Sequence, residues 1–229
     1  IAADRRQRQL CIGYMVSPMR VGIPREVFPD ECRMAGTPRT VKKLTKAGFE
    51  VWVEKGAGEA AGHSDAAYAE GGGVLVDDVE KLWAECDIML KVRPPQMHPV
   101  VHKHEADMIR EGAVLIGFIW PAQNSEVVEK LRARNVSTVA MDCVPRITRA
   151  QVVDALSAMA NAAGYRAVVE AVQHYPRFLS GQVTAAGSIP PAKVLVIGAG
   201  VAGLAAIGAA RGLGASIRAF DTREAALEQ

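Results

Sequence analysis

The stretch KVLVIGAGVAGLAAIGAARGLGASIRAFDTR, residues 193–223, decides the fold. KVLVIG (193–198) is an apolar, β-branched run of strand character. It leads into Gly198, Gly200 and Gly203, spaced as GxGxxG, and an alanine-rich helical pattern follows. SIRAFD (216–221) reads as a second strand and ends in Asp221, 18 residues after Gly203. Strand, glycine turn, helix and strand make a β-α-β unit, which implies a parallel sheet. Each residue has a physical task. Gly198 permits the tight turn, Gly200 lets the backbone approach a pyrophosphate, and Gly203 lets helix and strand pack closely. The helix N-terminus, where Val201 and Ala202 stand, offers N–H groups and positive dipole to phosphates. Asp221 suits both hydroxyls of an adenosine ribose, and its charge repels a 2′-phosphate, which favours NAD over NADP. Thr222 and Arg223 complete the set; Arg223 either pairs with a phosphate or stands solvated at a helix start. A glycine-rich turn with no ligand is the plainer alternative.

The same stretch contains a run, Val194–Ala210, of 17 residues without a charge. That length approaches a membrane span. Gly198, Gly200, Gly203 and Gly208 fit a strand–turn–helix better, so no membrane segment is expected in this chain.

Upstream, RFLSGQVTAAGSIPPA (177–192) is short and Gly-broken and reads as a protruding hairpin arm. Before it, residues 149–174 form one long helical stretch without proline, expected to bridge two subdomains. On a helix, Gln151, Asp154, Ser157 and Asn161 fall on one face among Val, Ala, Leu and Met, led in by Arg146 and Arg149. A solvated face normally carries Lys and Glu. This one carries directional donors and acceptors suited to an amide such as nicotinamide, or else it is an ordinary capped helix start.

Further upstream the pattern alternates. Strands are expected at 19–23, 49–54, 73–76, 87–92, 113–119 and 136–141. Helices are expected after Thr37-Pro38, after Ser64-Asp65, over 77–86, and from Asn124, as cap, to about Arg134. This rhythm predicts a parallel sheet with helices on both faces. Five segments follow: 1–18, a linker or targeting remnant; 19–146, an amino-terminal subdomain; 147–176, the bridging helix; 177–192, the arm; and 193–229, the start of a second subdomain. The fold class is α/β, two Rossmann-like doubly wound subdomains with the second truncated. The chain begins with Ile1 and stops at Gln229 inside a helical pattern, and so reads as a piece of a longer polypeptide.

Composition excludes several classes. The 229 residues carry a formal charge of +2, with 23% charged and 5% aromatic, so neither basic patches nor stacking platforms point to nucleic acid. Cys11, Cys32, Cys86 and Cys143 are widely spaced, without a CxxC pair, and no metal site or disulfide framework is expected. His98, His102 and His104 cluster beside prolines as a surface loop.

Longer motifs add a resemblance. FIWPAQN (118–124), MDCVPRITRAQVVDALSAMANAAGYRAVVEA (141–171), the run 181–215 and RAFDTR (218–223) closely resemble the NAD(H)-binding domain of the proton-translocating NAD(P) transhydrogenases. MRVGIPREVFPDECR (19–33) fits the wider alanine dehydrogenase and transhydrogenase amino-terminal family; Met34-Ala35-Gly36 departs from its pattern. The resemblance implies hydride transfer between NADH and NADP⁺, coupled to proton movement. NAD(H) would be held here and NADP(H) by a domain outside this chain. It implies a membrane domain as further partner, at the bacterial plasma membrane or the mitochondrial inner membrane, and a homodimer formed through the arm. It also implies that Arg146, Asp154 and Ser157 meet the NAD nicotinamide and that Gln151 reaches toward the NADP side. An alanine dehydrogenase-like activity is one rival; that family has a His where this chain has Trp120, while Lys91 and Arg33 match substrate-site positions. A catalytically silent dinucleotide-binding module is the other. Lacking its later strands, the isolated chain is expected to bind NADH weakly and to be inactive.

Overall fold

The computed structural model describes residues 18–224. The segment read as a linker, apart from Pro18, and Cys11 within it lie outside the described residues. The described chain divides between Cys143 and Val144 into two compact units.

The first unit is one parallel sheet of six strands, β1 (Arg20–Ile23), β2 (Glu50–Glu54), β3 (Val74–Val76), β4 (Ile88–Leu90), β5 (Val114–Gly117) and β6 (Ser137–Ala140). Their order is β3-β2-β1-β4-β5-β6. The order reverses between β1 and β4, so the crevice beyond the carboxyl ends of those two strands is where such a sheet holds ligands. The helices are α1 (Pro38–Lys46), α2 (Asp65–Glu70), α3 (Val79–Glu85), α4 (Glu105–Met108) and α5 (Ser125–Ala133). Thr37, Ser64 and Asp78 cap the first three by accepting from the N–H three residues on. Asn124 stands before α5 but does not cap it. Its amide donates instead to the carbonyls of Ile119 (2.9 Å) and Trp120 (3.2 Å), holding a loop in which Trp120 has φ +50°.

The core of this unit forms in two clusters: β1 and β2 place Val21, Ile23, Val51 and Val53 out of water with Tyr68, and β4 and β5 place Met89 and Leu115 with Leu82 and Trp83. Each such side chain contributes roughly 1.5–3 kcal/mol by its burial. Cys86 lies in the same core, and burial pushes its thiol up to about 12. Gly22 of β1 is required by space, because a Cβ there would lie 2.6 Å from Met89 Sδ and 2.9 Å from Cys86 Sγ. Within the run 113–119, β5 is buried at Leu115 and Gly117 and half-buried at Val114 and Ile116.

The second unit contains α6 (Ala155–His174), the antiparallel hairpin β7 (Gln182–Thr184) and β8 (Gly187–Ile189), then β9 (Lys193–Ile197), α7 (Val201–Gly212) and β10 (Ser216–Phe220). β9 and β10 pair in parallel, Lys193 opposite Ser216 and Ile197 opposite Phe220. The uncharged run 194–210 is thus strand, turn and helix. No helix among the described residues is long and apolar enough to cross a membrane.

The long helical stretch is not continuous. Residues Thr148–Val153 are a 3₁₀ segment, and α6 starts only at Ala155. Asp154 breaks the stretch by capping: its carboxylate accepts from Ser157 N (2.9 Å) and Ser157 Oγ (2.6 Å). An aspartate that binds the backbone three residues ahead competes with the helix it would otherwise join. The helix packs on α7 inside the second unit. A Cβ on Gly164 would lie 2.0 Å from the carbonyl oxygen of Ala202.

Candidate functional site

The turn between β9 and α7 has three glycines with three different reasons. Gly198 has φ +97°, a conformation that L side chains rarely adopt. Gly203 is required by space, since a Cβ there would sit 1.8 Å from the Gly198 carbonyl oxygen. Gly200 has φ −79°, and a Cβ there would meet nothing within 4 Å. Gly200 stands at the N-cap of α7, and Leu204 N donates to its carbonyl at 2.8 Å. The N–H groups of the first turn lack partners within the helix and face outward with the positive end of its dipole.

A concavity of about 380 Å³ opens on this turn. Arg146, Leu156, Ser157 and Ala160 form one wall; Gly198, Gly200, Val201, Ala202 and Gly203 form the other. Two of the three residues expected to meet the NAD nicotinamide, Arg146 and Ser157, therefore share a site with the glycine turn. Asp154 is not a wall residue but fixes Ser157 through the cap described above. Hydrogen bonds from the Ser157 hydroxyl and backbone N–H hold its carboxyl below the usual carboxylate range. Gln151 lies exposed on the 3₁₀ segment, away from this wall. The single polar helix face is thus a 3₁₀ turn, a cap and the first turn of a helix.

Asp221 ends β10 and reaches back to the turn. Its Oδ2 accepts from Ala199 N at 2.7 Å, and Oδ1 accepts from Arg223 N at 2.8 Å. The Arg223 guanidinium donates to both oxygens, Nε to Oδ1 at 3.0 Å and Nη2 to Oδ2 at 3.1 Å. Those guanidinium bonds, then the two backbone donors, hold Asp221 far below the usual carboxylate range. Thr222 is exposed beside them. Ala199, Leu156, Ala160 and Gly164 escape a reading by motif. Only Gly164 leaves a signal, a glycine inside a helix where it costs about 1 kcal/mol against alanine.

The first unit has its own cleft, about 630 Å³, beyond the carboxyl ends of β1, β2 and β3, with Arg25, Glu26, Phe28, Glu31, Arg33 and His98 among its walls. Arg33 binds Glu31, Nε to Oε1 at 2.7 Å and Nη2 to Oε2 at 2.5 Å. Lys91 does not line the cleft. It is buried, with Nζ 2.7 and 2.8 Å from the two oxygens of Glu105 and 3.5 Å from Glu26. Among the described residues no group of three His, Cys, Asp or Glu is placed to hold a metal ion.

Glycine turn, helix N-terminus and strand-end acid define an α/β protein with a Rossmann-type site of the dinucleotide-binding kind. The chain belongs to the alanine dehydrogenase/PNT family. Residues 22–163 match the model described as "Alanine dehydrogenase/PNT, N-terminal domain", and 167–229 its C-terminal counterpart. It is 52% identical over 211 residues to the NAD(P) transhydrogenase subunit alpha of Cereibacter sphaeroides, covering 92% of this chain and 39% of that one. It is 34% identical over 206 residues to the alanine dehydrogenase of Mycobacterium tuberculosis, covering 89% and 53%. The crystal structure of transhydrogenase from Sinorhizobium meliloti superposes with a TM-score of 0.85 at 43% identity, over 91% of this chain and 58% of that one. The chain thus spans about two fifths to three fifths of these relatives, is homologous to transhydrogenase alpha subunits, and is related more distantly to alanine dehydrogenase.

Proposed function

We propose that the second unit binds NAD(H) and presents it for direct hydride exchange with NADP(H) on another domain of a proton-translocating transhydrogenase. Gly200 carries this reading. Neither backbone conformation nor space inside the chain requires glycine there. The demand for a bare backbone comes from outside the chain, as from a pyrophosphate laid across the N-terminus of α7. Gly198 shapes the turn, Gly203 seats the helix, Val201 and Ala202 contribute N–H groups, and Asp221 with Thr222 and Arg223 faces the ribose.

When bound, the nicotinamide supplies the ring carbon that gives or takes hydride. Transfer between two such carbons moves no proton on nitrogen or oxygen, so the protein need supply no general acid or base. Its contribution is proximity and orientation. Ser157 and Arg146 orient the carboxamide end. Asp154 is a positioning residue: by accepting the hydrogen bond of the Ser157 hydroxyl it turns that oxygen's lone pairs to the ligand. Gln151, outside that wall, reaches toward the NADP side. The proton moves through a membrane domain of the whole polypeptide, at the bacterial plasma membrane or the mitochondrial inner membrane. The arm at 177–192, with Val183 90% exposed, joins two copies as a homodimer. Amino-acid oxidation is the weaker reading. It needs an acid–base group near the substrate, and this chain has Trp120 where that family has His and a Lys91 enclosed by carboxylates.

The test is Arg146→Ala and Ser157→Ala in the natural full-length polypeptide. Stopped-flow hydride transfer from NADH should slow about 10- to 100-fold through misplacement of the ring, while calorimetric NADH affinity changes little. Unchanged transfer with collapsed NADH binding would overturn the assignment of these residues.

A further inference from the structure

We propose that Arg223 is a displaceable occupant of the ribose subsite and that it sets the preference between NAD(H) and NADP(H). This rests on the dinucleotide reading above. A carboxylate offers about four lone-pair positions to hydrogen-bond donors. At Asp221 four donors fill them: Ala199 N, Arg223 N, Arg223 Nε and Arg223 Nη2, at 2.7–3.1 Å. The two backbone donors are fixed by the glycine turn and by the chain leaving β10. The other two belong to the planar guanidinium fork, which binds both carboxylate oxygens side by side. A vicinal ribose diol makes the same demand, two adjacent O–H donors on one carboxylate. Fork and diol therefore compete for the same two positions.

Exposure decides which group moves. The Asp221 side chain is only 8% exposed and is tied to the turn, whereas that of Arg223 is 64% exposed. The guanidinium can swing into solvent; the carboxylate stays. Two consequences follow for selectivity. Each NADH that enters must first displace the fork, which lowers its apparent affinity by the fraction of molecules with the subsite open. The displaced guanidinium stays tethered two residues from Asp221, where its charge blunts the carboxylate's repulsion of a 2′-phosphate. Arg223 thus weakens NAD(H) binding and makes NADP(H) tolerable, so Asp221 alone overstates the selectivity of the site.

The experiment is calorimetric titration of NADH, and displacement of bound NADH by NADPH so that NADP(H) held by another domain does not enter the readout, in the full-length polypeptide, wild type, Arg223→Ala and Arg223→Lys, with equal melting temperatures confirming intact folds. Arg223→Ala should bind NADH about two- to fivefold tighter, the modest range of an exposed ion pair, and NADPH weaker by a similar factor. Arg223→Lys keeps the charge without the fork, so its NADH affinity should fall between the two while NADPH binding stays near wild type. Arg223→Ala binding NADH no tighter, or moving both nucleotides in the same direction, would overturn the role of Arg223 alone. A wild-type protein that binds neither nucleotide would instead sink the dinucleotide reading itself.

Discussion

Glu31 is pressed between two guanidinium groups, with Arg33 Nη2 at 2.5 Å and Arg93 Nε at 2.7 Å, and its side chain is almost fully buried. The Arg33 hydrogen bond, with Arg93 adding to it, outweighs burial and holds this carboxyl at about 2 instead of 4.5. A carboxyl whose pKa falls on folding stabilises the fold above its unfolded value. That contribution is lost as pH falls from about 4.5 through about 2. Glu31→Gln should therefore cost about 1.5–3 kcal/mol at pH 7, as for hydrogen bonds to a charged group. The difference should shrink as pH is lowered to 3. Urea unfolding at the two pH values checks this; an unchanged difference would mean that packing, not charge, holds Glu31. Lys91 shows the contrasting case. It matches a substrate-site position by resemblance, and in this structure its Nζ is held by Glu105 and Glu26.

Among the elements, α6 and α7 meet backbone to backbone. Gly164 lies against the Ala202 carbonyl, one residue from the Gly203 that seats α7 on β9. Gly164→Ala must push the helices apart, because the neighbour it meets is main chain and not a flexible side chain. We expect a loss of about 3 kcal/mol, the upper range of overpacking, together with weaker NADH binding because the wall carrying Ser157 shifts. Thermal unfolding and calorimetry on the variant measure both; full stability would show that the crossing has slack. The sequence made much of this legible. Alternating apolar runs placed all six strands of the first sheet, and GxGxxG with Asp221 placed the turn and the strand end. What failed shares one cause: a side chain that binds the local backbone is silent in a pattern. Asp154 looked like one member of a helical face and is a cap. Asn124 looked like a cap and is a loop clamp. Arg223, read as either a phosphate partner or a solvated arginine, closes on a neighbouring side chain, the Asp221 carboxylate. Periodicity records which face is apolar; it does not record which of several nearby acceptors a polar group chooses.

At the scale of the molecule, the first unit is closed around its own core. Val21, Ile23, Val51, Val53, Met89 and Leu115 on its inner strands have almost no exposure. Buried apolar contacts set the free energy of local opening, so this unit should open rarely. The molecule carries its own chemical clock for that event. Cys32 and Cys143 are exposed, while Cys86 is sealed beneath Gly22 with its thiol at about 12. Only a thiolate is alkylated. In native buffer, mass spectrometry should find iodoacetamide on Cys32 and Cys143 early and on Cys86 only as the first unit opens. Labelling of Cys86 at the pace of Cys32 would contradict a tightly closed core. No cysteine described here lies beyond Cys143, so opening of the second unit leaves this clock unstarted. Alkylation of one sulfur atom thereby times the sheet of the first unit without any signal from the second.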